Sequence, residues 1–343
     1  MLITFLDDSI PFDGHSPVGQ PLGGAEKAVA GLAGALARRG HTVRVFNRCD
    51  LPIVVDGVSW QPLDSCQAAH SDWLIAHRKP SLFGRLADAD NRILWLAGPL
   101  GYLNKPDALA SLHELQPTML LQGHAHSLTV PAPLHNLSAE TVVPGIASHY
   151  RTATEMTPAN PPRAVVTTHP SSGLDWLLEL WTSQVFPRVP WAELHVYSAS
   201  LEWGAQGAEV AESLRPVLDQ ALAAKDKGVR IFRPLPDPAM AEVYRVARVH
   251  LYPGNDRDVL CTTLGESQAV GLPAVSRDKG AAKERILNGE TGYLAPDDDA
   301  FANLAVRLLD DRDTFDKLSE TARQRQRARG WDQVAGELER IIR

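Results

Sequence analysis

Apolar and polar positions along this chain switch repeatedly between two periods. Leu2–Leu6 is an apolar run of strand length, short enough to be a buried first strand. A loop rich in Pro and Gly follows, and over residues 24–39 the pattern becomes helical. Ala25, Ala28, Val29, Leu32, Ala33 and Leu36 recur at three- and four-residue steps and predict one apolar face. Arg38, Arg39 and Gly40 then supply the cations and the glycine expected at a helix end. Val43, Val45 and Phe46 predict the second strand, and Trp73–Ala76, Ile93–Ala97, Met119–Leu121 and Thr141–Val143 predict more. Such alternation implies a parallel sheet with helices on both faces.

The stretch TATEMTPANPPR (152–163) breaks the pattern and reads as an interdomain linker. Beyond it the alternation restarts. AVVTTH, ELHVYS, VRIFRPL, VHLYP and PAVSR predict strands. LDWLLELW, the long EVAESLRPVLDQALAA, AMAEVYRVA, CTTLGESQAVG and AAKERILNG predict helices, and the last forty residues read as mostly helical. The fold class is therefore α/β, with two Rossmann-like αβα domains in tandem, 1–160 and 161–330. A final amphipathic segment, 331–343, places Val334, Leu338 and Ile341 on one face and is expected to return to the first domain. Ligands of such sheets lie at the carboxyl ends of the strands.

Composition narrows the partners. The net charge is −7, and neither side of residue 160 is basic, with 11 Lys+Arg against 14 Asp+Glu before it and 23 against 27 after it. Nucleic acid is not an expected partner. Three widely spaced cysteines, Cys49, Cys66 and Cys261, form no C-x-x-C pair and fit a reducing compartment. The N-terminus lacks the features of a signal peptide, and no segment approaches the roughly 20 apolar residues of a membrane span. A cytoplasmic protein is expected, with peripheral membrane contact open through its acceptor.

Two stretches carry candidate chemistry. In PLGGAEKAVAGLAGALARRGHTVRVF (21–46), Gly23 and Gly24 stand where a loop meets the first helix. Glycines there admit a ligand to the backbone, and a helix start favours an anion, although the same pair also serves a plain turn. A dinucleotide site fits poorly, because G-x-G-x-x-G is absent and the loop after the first strand is far too long. In the stretch 251–294, a strand ends near Pro253 and a helix opens near Cys261–Thr263. The N–H groups of Leu260, Cys261 and Thr262 are then candidates to receive a diphosphate. Glu266, one turn in, offers two carboxylate oxygens to a ribose diol, or else is a solvated helix residue. Asp256 and Asp258 also spell D-x-D, a metal-diphosphate motif, but they overlap the acidic pair and no metal site is assigned.

These two stretches resemble family 4 glycosyltransferases, in words the retaining glycosyl transferases group 1 on the GT-B fold. That family opens with Gly-Gly-Ala-Glu and an R-G-H-x-V strand entry, matched here from Gly23, Gly24 and Glu26 onward. It has two acids separated by seven residues and then G-L-P-x-V, matched by Asp258, Glu266 and the segment 271–275. The first acid is normally glutamate. The downstream G-G-x-x-E element is matched by Gly280 and Glu284. The resemblance implies two domains facing across a cleft, the first on the acceptor side and the second binding a nucleotide sugar. It implies transfer of a hexose from a nucleoside diphosphate sugar to a hydroxyl with retained configuration, without metal or cofactor. Glu266 would hold the ribose, Asp258 the sugar, the helix start the diphosphate, and Gly280 would admit the donor to the backbone. Glu26 is expected to cap its helix.

One departure is plain. The family's G-R-x-x-x-x-K-G element supplies two cations to the departing diphosphate. Aligning Gly173 with its last glycine puts Thr167 at the arginine and Ser172 at the lysine. His169, Arg233, Arg257, Lys279 and Lys283 are the candidate replacements, Lys279 first because it precedes Gly280. In D72-W-L-I-A-H77, His77 matches the family's strand-end histidine and is expected at the cleft. His124 and His126 are read as loop histidines. A nucleotide-sugar epimerase, which needs no acceptor, and a non-catalytic nucleotide-sugar binder are the competing readings on this fold.

Overall fold

The computed structural model describes residues 1–66, 70–86 and 88–342, and its strands form two separate sheets. The first sheet contains β1 (Leu2–Leu6), β2 (Thr42–Asn47), β3 (Ile53–Val55), β4 (Val58–Pro62), β5 (Ser71–His77), β6 (Ala89–Trp95), β7 (Thr118–Leu121) and β8 (Ala139–Thr141). Their order is β3-β4-β2-β1-β5-β6-β7-β8. All neighbours are parallel except β3 and β4. Successive side chains of a strand face opposite ways. Ile3, Phe5, Val43, Val45 and Ile75 accordingly enter one core, while Leu6, Phe46, Leu74, Ala76 and Leu94 enter the other. Burial on both faces is why these strands read as unbroken apolar runs.

The second sheet contains β9 (Arg163–Val166), β10 (Glu193–Tyr197), β11 (Val229–Phe232), β12 (Val249–Tyr252), β13 (Ala274–Arg277) and β14 (Gly292–Ala295). It is parallel throughout, in the order β11-β10-β9-β12-β13-β14. Its main core joins Val166, Leu194, Val196 and Leu251 to the helices Leu174–Leu180, Arg215–Ala223 and Asp298–Asp310.

The chain divides into two compact units, Met1–Ala147 with Arg329–Arg343, and Ser148–Ala328. The division falls earlier than residue 160 for a local reason. Tyr150 is fully buried and its hydroxyl donates to Asp237 at 2.8 Å. The N–H groups of Thr157 and Ala159 bond the carbonyls of Arg245 and Val246. The Pro- and Thr-rich stretch is thus part of the second unit. In the first unit, the helix Trp331–Ile341 packs on the helix Gly24–Arg38. Val334, Ala335 and Leu338 are buried, and Arg39 donates twice to Glu339, at 2.7 and 2.8 Å.

Several elements differ from the sequence pattern. A hairpin, β3–β4, turns at Asp56 and Gly57, both at positive φ, a turn the Asp-Gly pair signals. The strand expected at Thr141–Val143 is Ala139–Thr141. The long helix expected from residue 209 begins at Arg215, with Pro216 in its first turn. AAKERILNG is helical only over Ala282–Arg285.

Candidate functional site

Each sheet has one point where strand order reverses, and ligands of doubly wound folds lie outside the carboxyl ends there. In the second sheet this point is β9–β12, since β9 pairs β10 on one side and β12 on the other. Just past β9, Thr167 Oγ1 lies 3.1 Å from His250 Nε2 and 3.0 Å from Thr263 Oγ1. His250 Nδ1 is 2.9 Å from Ser267 Oγ. Full burial pushes the His250 pKa down to about 3, so the ring is neutral. Residue 167 therefore turns a hydroxyl inward onto an uncharged ring, where the resembled family has an arginine.

Glu266 lies on the helix Thr262–Val270 and is only 4% exposed, so it is not a solvated helix residue. Burial pushes the hydroxyls of Tyr150 and Tyr244 well above their ordinary pKa, and the Glu266 charge adds to both shifts. The carboxylate thus stands among phenols, withdrawn from bulk water, where hydrogen bonds to a charged acceptor are stronger than at a surface.

Asp258 is placed differently from expectation. Its Oδ1 accepts the N–H groups of Leu260 at 3.1 Å and Cys261 at 2.9 Å, and its Oδ2 accepts the Tyr252 hydroxyl. Two of the three amides expected to face a diphosphate are therefore taken by the chain's own carboxylate. Thr262, the first helical residue, is not among them. An aspartate reaches back to the amides two and three residues on, as a capping side chain does. Cys261 sits at φ 45 in the left-handed region, between this cap and the helix. Burial and the nearby Asp258 charge push its thiol pKa far above the ordinary value, so it is an inert side chain.

Gly280 also serves the protein itself. At φ 57, a Cβ there would stand 2.3 Å from the carbonyl oxygens of Asn255 and Asp258. The Ala281 N–H donates to Asp258 O at 2.8 Å. The absent side chain lets the turn after β13 close on the loop 255–258, a structural requirement for glycine here besides the donor contact expected of it. Lys279 is half-buried beside it, and Glu284 is exposed. Of the other candidate cations, Arg233 pairs with Glu202 at 3.5 Å, while His169, Arg257 and Lys283 are exposed. Arg277, at the end of β13, was not singled out by the sequence, which marks it only as a strand residue.

The first sheet reverses order at β1–β5. His77, the last residue of β5, donates through Nδ1 to Asp7 Oδ2 at 2.5 Å. Ser9 donates to the same carboxylate through its N–H and hydroxyl. Burial alone would raise the Asp7 pKa, but His77 and Ser9 outweigh it and hold it below the usual carboxylate range. His77 Nε2 is buried with no hydrogen-bond partner among the described residues. Gly23 is the N-cap and Gly24 the first residue of the helix Gly24–Arg38. Glu26, in the first turn, pairs with Arg78, the residue after His77. The glycine pair, Glu26 and His77 thus converge at the carboxyl end of this sheet.

Among the described residues, Asp256 and Asp258 belong to no group with metal-ligand spacing. Among the described residues one group has that spacing, His70, Asp72 and Asp90, at the opposite ends of β5 and β6. His124 and His126 lie in a short helix, and His126 is buried with Nδ1 accepting the Gln122 N–H at 3.1 Å. No helix of the described residues is long and apolar enough to cross a membrane.

Residues 164–311 match the family described as glycosyl transferases group 1. A D-inositol 3-phosphate glycosyltransferase of Thermomonospora curvata is 32% identical over 112 residues, which cover 32% of this chain and 26% of the relative. The matched stretch is thus about a quarter of that relative's length. Sucrose-phosphate synthase from Thermosynechococcus elongatus superposes with a TM-score of 0.75 at 14% identity, covering 99% of this chain and 98% of that one. Anabaena HepE, solved in complex with UDP-glucose, gives 0.74 at 14% identity over 100% and 99%. The fold is that of these GT-B structures, and the family match falls on the same second-unit segment as the acidic-pair motif.

Proposed function

We propose that this GT4-like chain, with its group 1 segment at 164–311, transfers a hexose from a nucleoside diphosphate sugar to a hydroxyl acceptor. The observation that carries the proposal is Glu266: a carboxylate nine-tenths buried, one turn into the helix that follows the switch-point strand. Its two oxygens suit the two hydroxyls of a ribose, and its withdrawal from water strengthens both bonds. Asp258 fixes the start of that helix, leaving the Thr262 end to the diphosphate. His77 would meet a sugar or acceptor hydroxyl through Nε2, since Asp7 holds Nδ1.

The reaction needs no metal or cofactor in this reading. The bond from the sugar's anomeric carbon to the phosphate oxygen breaks, and its electron pair leaves with the nucleoside diphosphate. The acceptor oxygen forms the new bond to that carbon from the same face, and its proton passes to the departing phosphate. Configuration is then retained. HepE's complex with UDP-glucose makes UDP-glucose the first donor to try.

Incubation of UDP-, GDP- and ADP-hexoses with a panel of glycan, lipid-linked and small hydroxyl acceptors, in EDTA, tests the proposal. A product with the donor's anomeric configuration, formed only with acceptor present, is expected. Conversion of the donor alone would instead identify an epimerase. Binding without product under every acceptor would identify a nucleotide-sugar binder.

A further inference from the structure

The basic side chains expected at residues 167 and 172 are a threonine and a serine, yet the same end of the sheet holds a cation fixed by three contacts. Arg277 ends β13, next to the switch-point strand β12. Its Nε donates to the carbonyl of Pro253, and its Nη2 donates to that of Gly254 at 3.1 Å, both just past β12. Its guanidinium lies 4.1 Å from the centroid of the Trp176 ring. That ring is itself fixed, by a 3.1 Å hydrogen bond to Asp298 and an edge contact with Phe301.

The guanidinium also reaches the loop after β9. Gly173 is at φ 92, and a Cβ there would lie 3.0 Å from Arg277 Nη2 and 3.1 Å from Pro253 Cβ. Gly173 is the neighbour of Ser172, the position of the missing lysine. Among the described residues Arg277 makes no ion pair, and two of its five N–H donors are spoken for. The charge is therefore unneutralised, held rigidly, and located where strand order reverses.

We infer that Arg277 is the cation that faces the donor's diphosphate, doing from β13 what residues 167 and 172 do not do from the loop after β9. The inference rests on the nucleotide-sugar reading above. As the carbon–oxygen bond breaks, charge gathers on the leaving diphosphate, and a guanidinium already in place needs no reorganisation to meet it. Lys279 has a flexible stem, and among the described residues no hydrogen bond or ion pair holds its ammonium toward this loop. A guanidinium locked by two carbonyls and a ring is better organised for a planar phosphate edge.

Affinities of UDP, UMP and uridine, with the guanosine and adenosine series alongside, test this in the full chain and in Arg277→Gln and Arg277→Lys. For the base that binds, Arg277→Gln is expected to weaken the diphosphate about tenfold or more while the nucleoside changes less than about twofold. Arg277→Lys is expected to recover only part of the diphosphate affinity, because an ammonium keeps the charge but not the fork held by Pro253, Gly254 and Trp176. A purely structural latch on Pro253 and Gly254 would weaken nucleoside and diphosphate alike, and that result overturns the inference. So does unchanged diphosphate affinity in Arg277→Gln. Silence of the unmodified protein toward all three series would overturn the nucleotide-sugar reading as well, and so is distinct from failure of Arg277 alone.

Discussion

Asp7 and His77 form a buried pair, each 1% exposed, with Oδ2 and Nδ1 2.5 Å apart at the reversal point of the first sheet. The carboxylate only accepts, so the ring carries a proton on Nδ1 and turns Nε2 away from Asp7. Asp7→Asn removes that tautomer preference and leaves a buried hydrogen bond poorly made. It is expected to cost about 1–3 kcal/mol of stability, read by denaturant unfolding. Sugar transfer should fall by about tenfold or more with donor affinity little changed, because the second unit is untouched. Equal activity of Asp7→Asn and the unmodified chain would remove His77 from the proposed site.

His250 makes stability pH-dependent in a defined direction. Its folded pKa is lowered to about 3, against an unfolded value of about 6.5. Between these values the unfolded chain binds a proton that the folded chain does not. Stability from this group is therefore full above about pH 6.5 and is lost as pH falls toward 3, by up to about 1.4 kcal/mol per pH unit. Urea unfolding of the unmodified chain and His250→Gln between pH 7 and 5, above most carboxylate titration, is the check. The variant should show the shallower loss, and parallel curves would mean that His250 is not buried neutral.

Asp258 is a cap before it is anything else. Asp258→Ala strips acceptors from the Leu260 and Cys261 amides and from the Tyr252 hydroxyl, and should cost about 1–2 kcal/mol. Asp258→Glu restores the charge, and the residue usual in the resembled family, but one methylene too long to reach its own neighbours' amides. It is expected to recover little of that stability. Full recovery by Glu would show that charge, not the local loop geometry, sets the preference.

Gly31 lies where the returning helix crosses. A Cβ there would stand 2.4 Å from Trp331 Nε1. Gly31→Ala should gain about 1 kcal/mol of helix propensity yet lose more to overpacking, for a net loss of about 1–2 kcal/mol. Adding Trp331→Leu should make the alanine neutral or favourable, a coupling that unfolding of both single variants and the double variant measures.

The two parallel sheets were legible because their strands are buried on both faces and their helices on one, so the periods are distinct. Asp56-Gly57 was a readable turn that the apolar run around it obscured. The helix ends that misled are at Arg215, where a proline sits in the first turn, and at Arg285, whose carbonyl accepts from the side chains of Gln268 and Gln326, contacts between distant segments. At the site, the positions of Glu266 and His77 followed from motif spacing, but their burial did not. The fate of the Leu260 and Cys261 amides was hidden because an aspartate two residues before them reads the same whether it faces ligand or backbone. Arg277 was hidden for a related reason. Its importance lies in Pro253, Gly254, Gly173 and Trp176, which only the folded sheet brings to it.

The central claim is that the second unit binds a nucleoside diphosphate sugar through Glu266. Thermal stabilisation by UDP, GDP, ADP and their hexose conjugates, in EDTA, with Glu266→Ala as control, tests it most directly. A concentration-dependent rise in Tm with one base, lost in Glu266→Ala, is the predicted result. No shift across the panel, or an equal shift in Glu266→Ala, would contradict it.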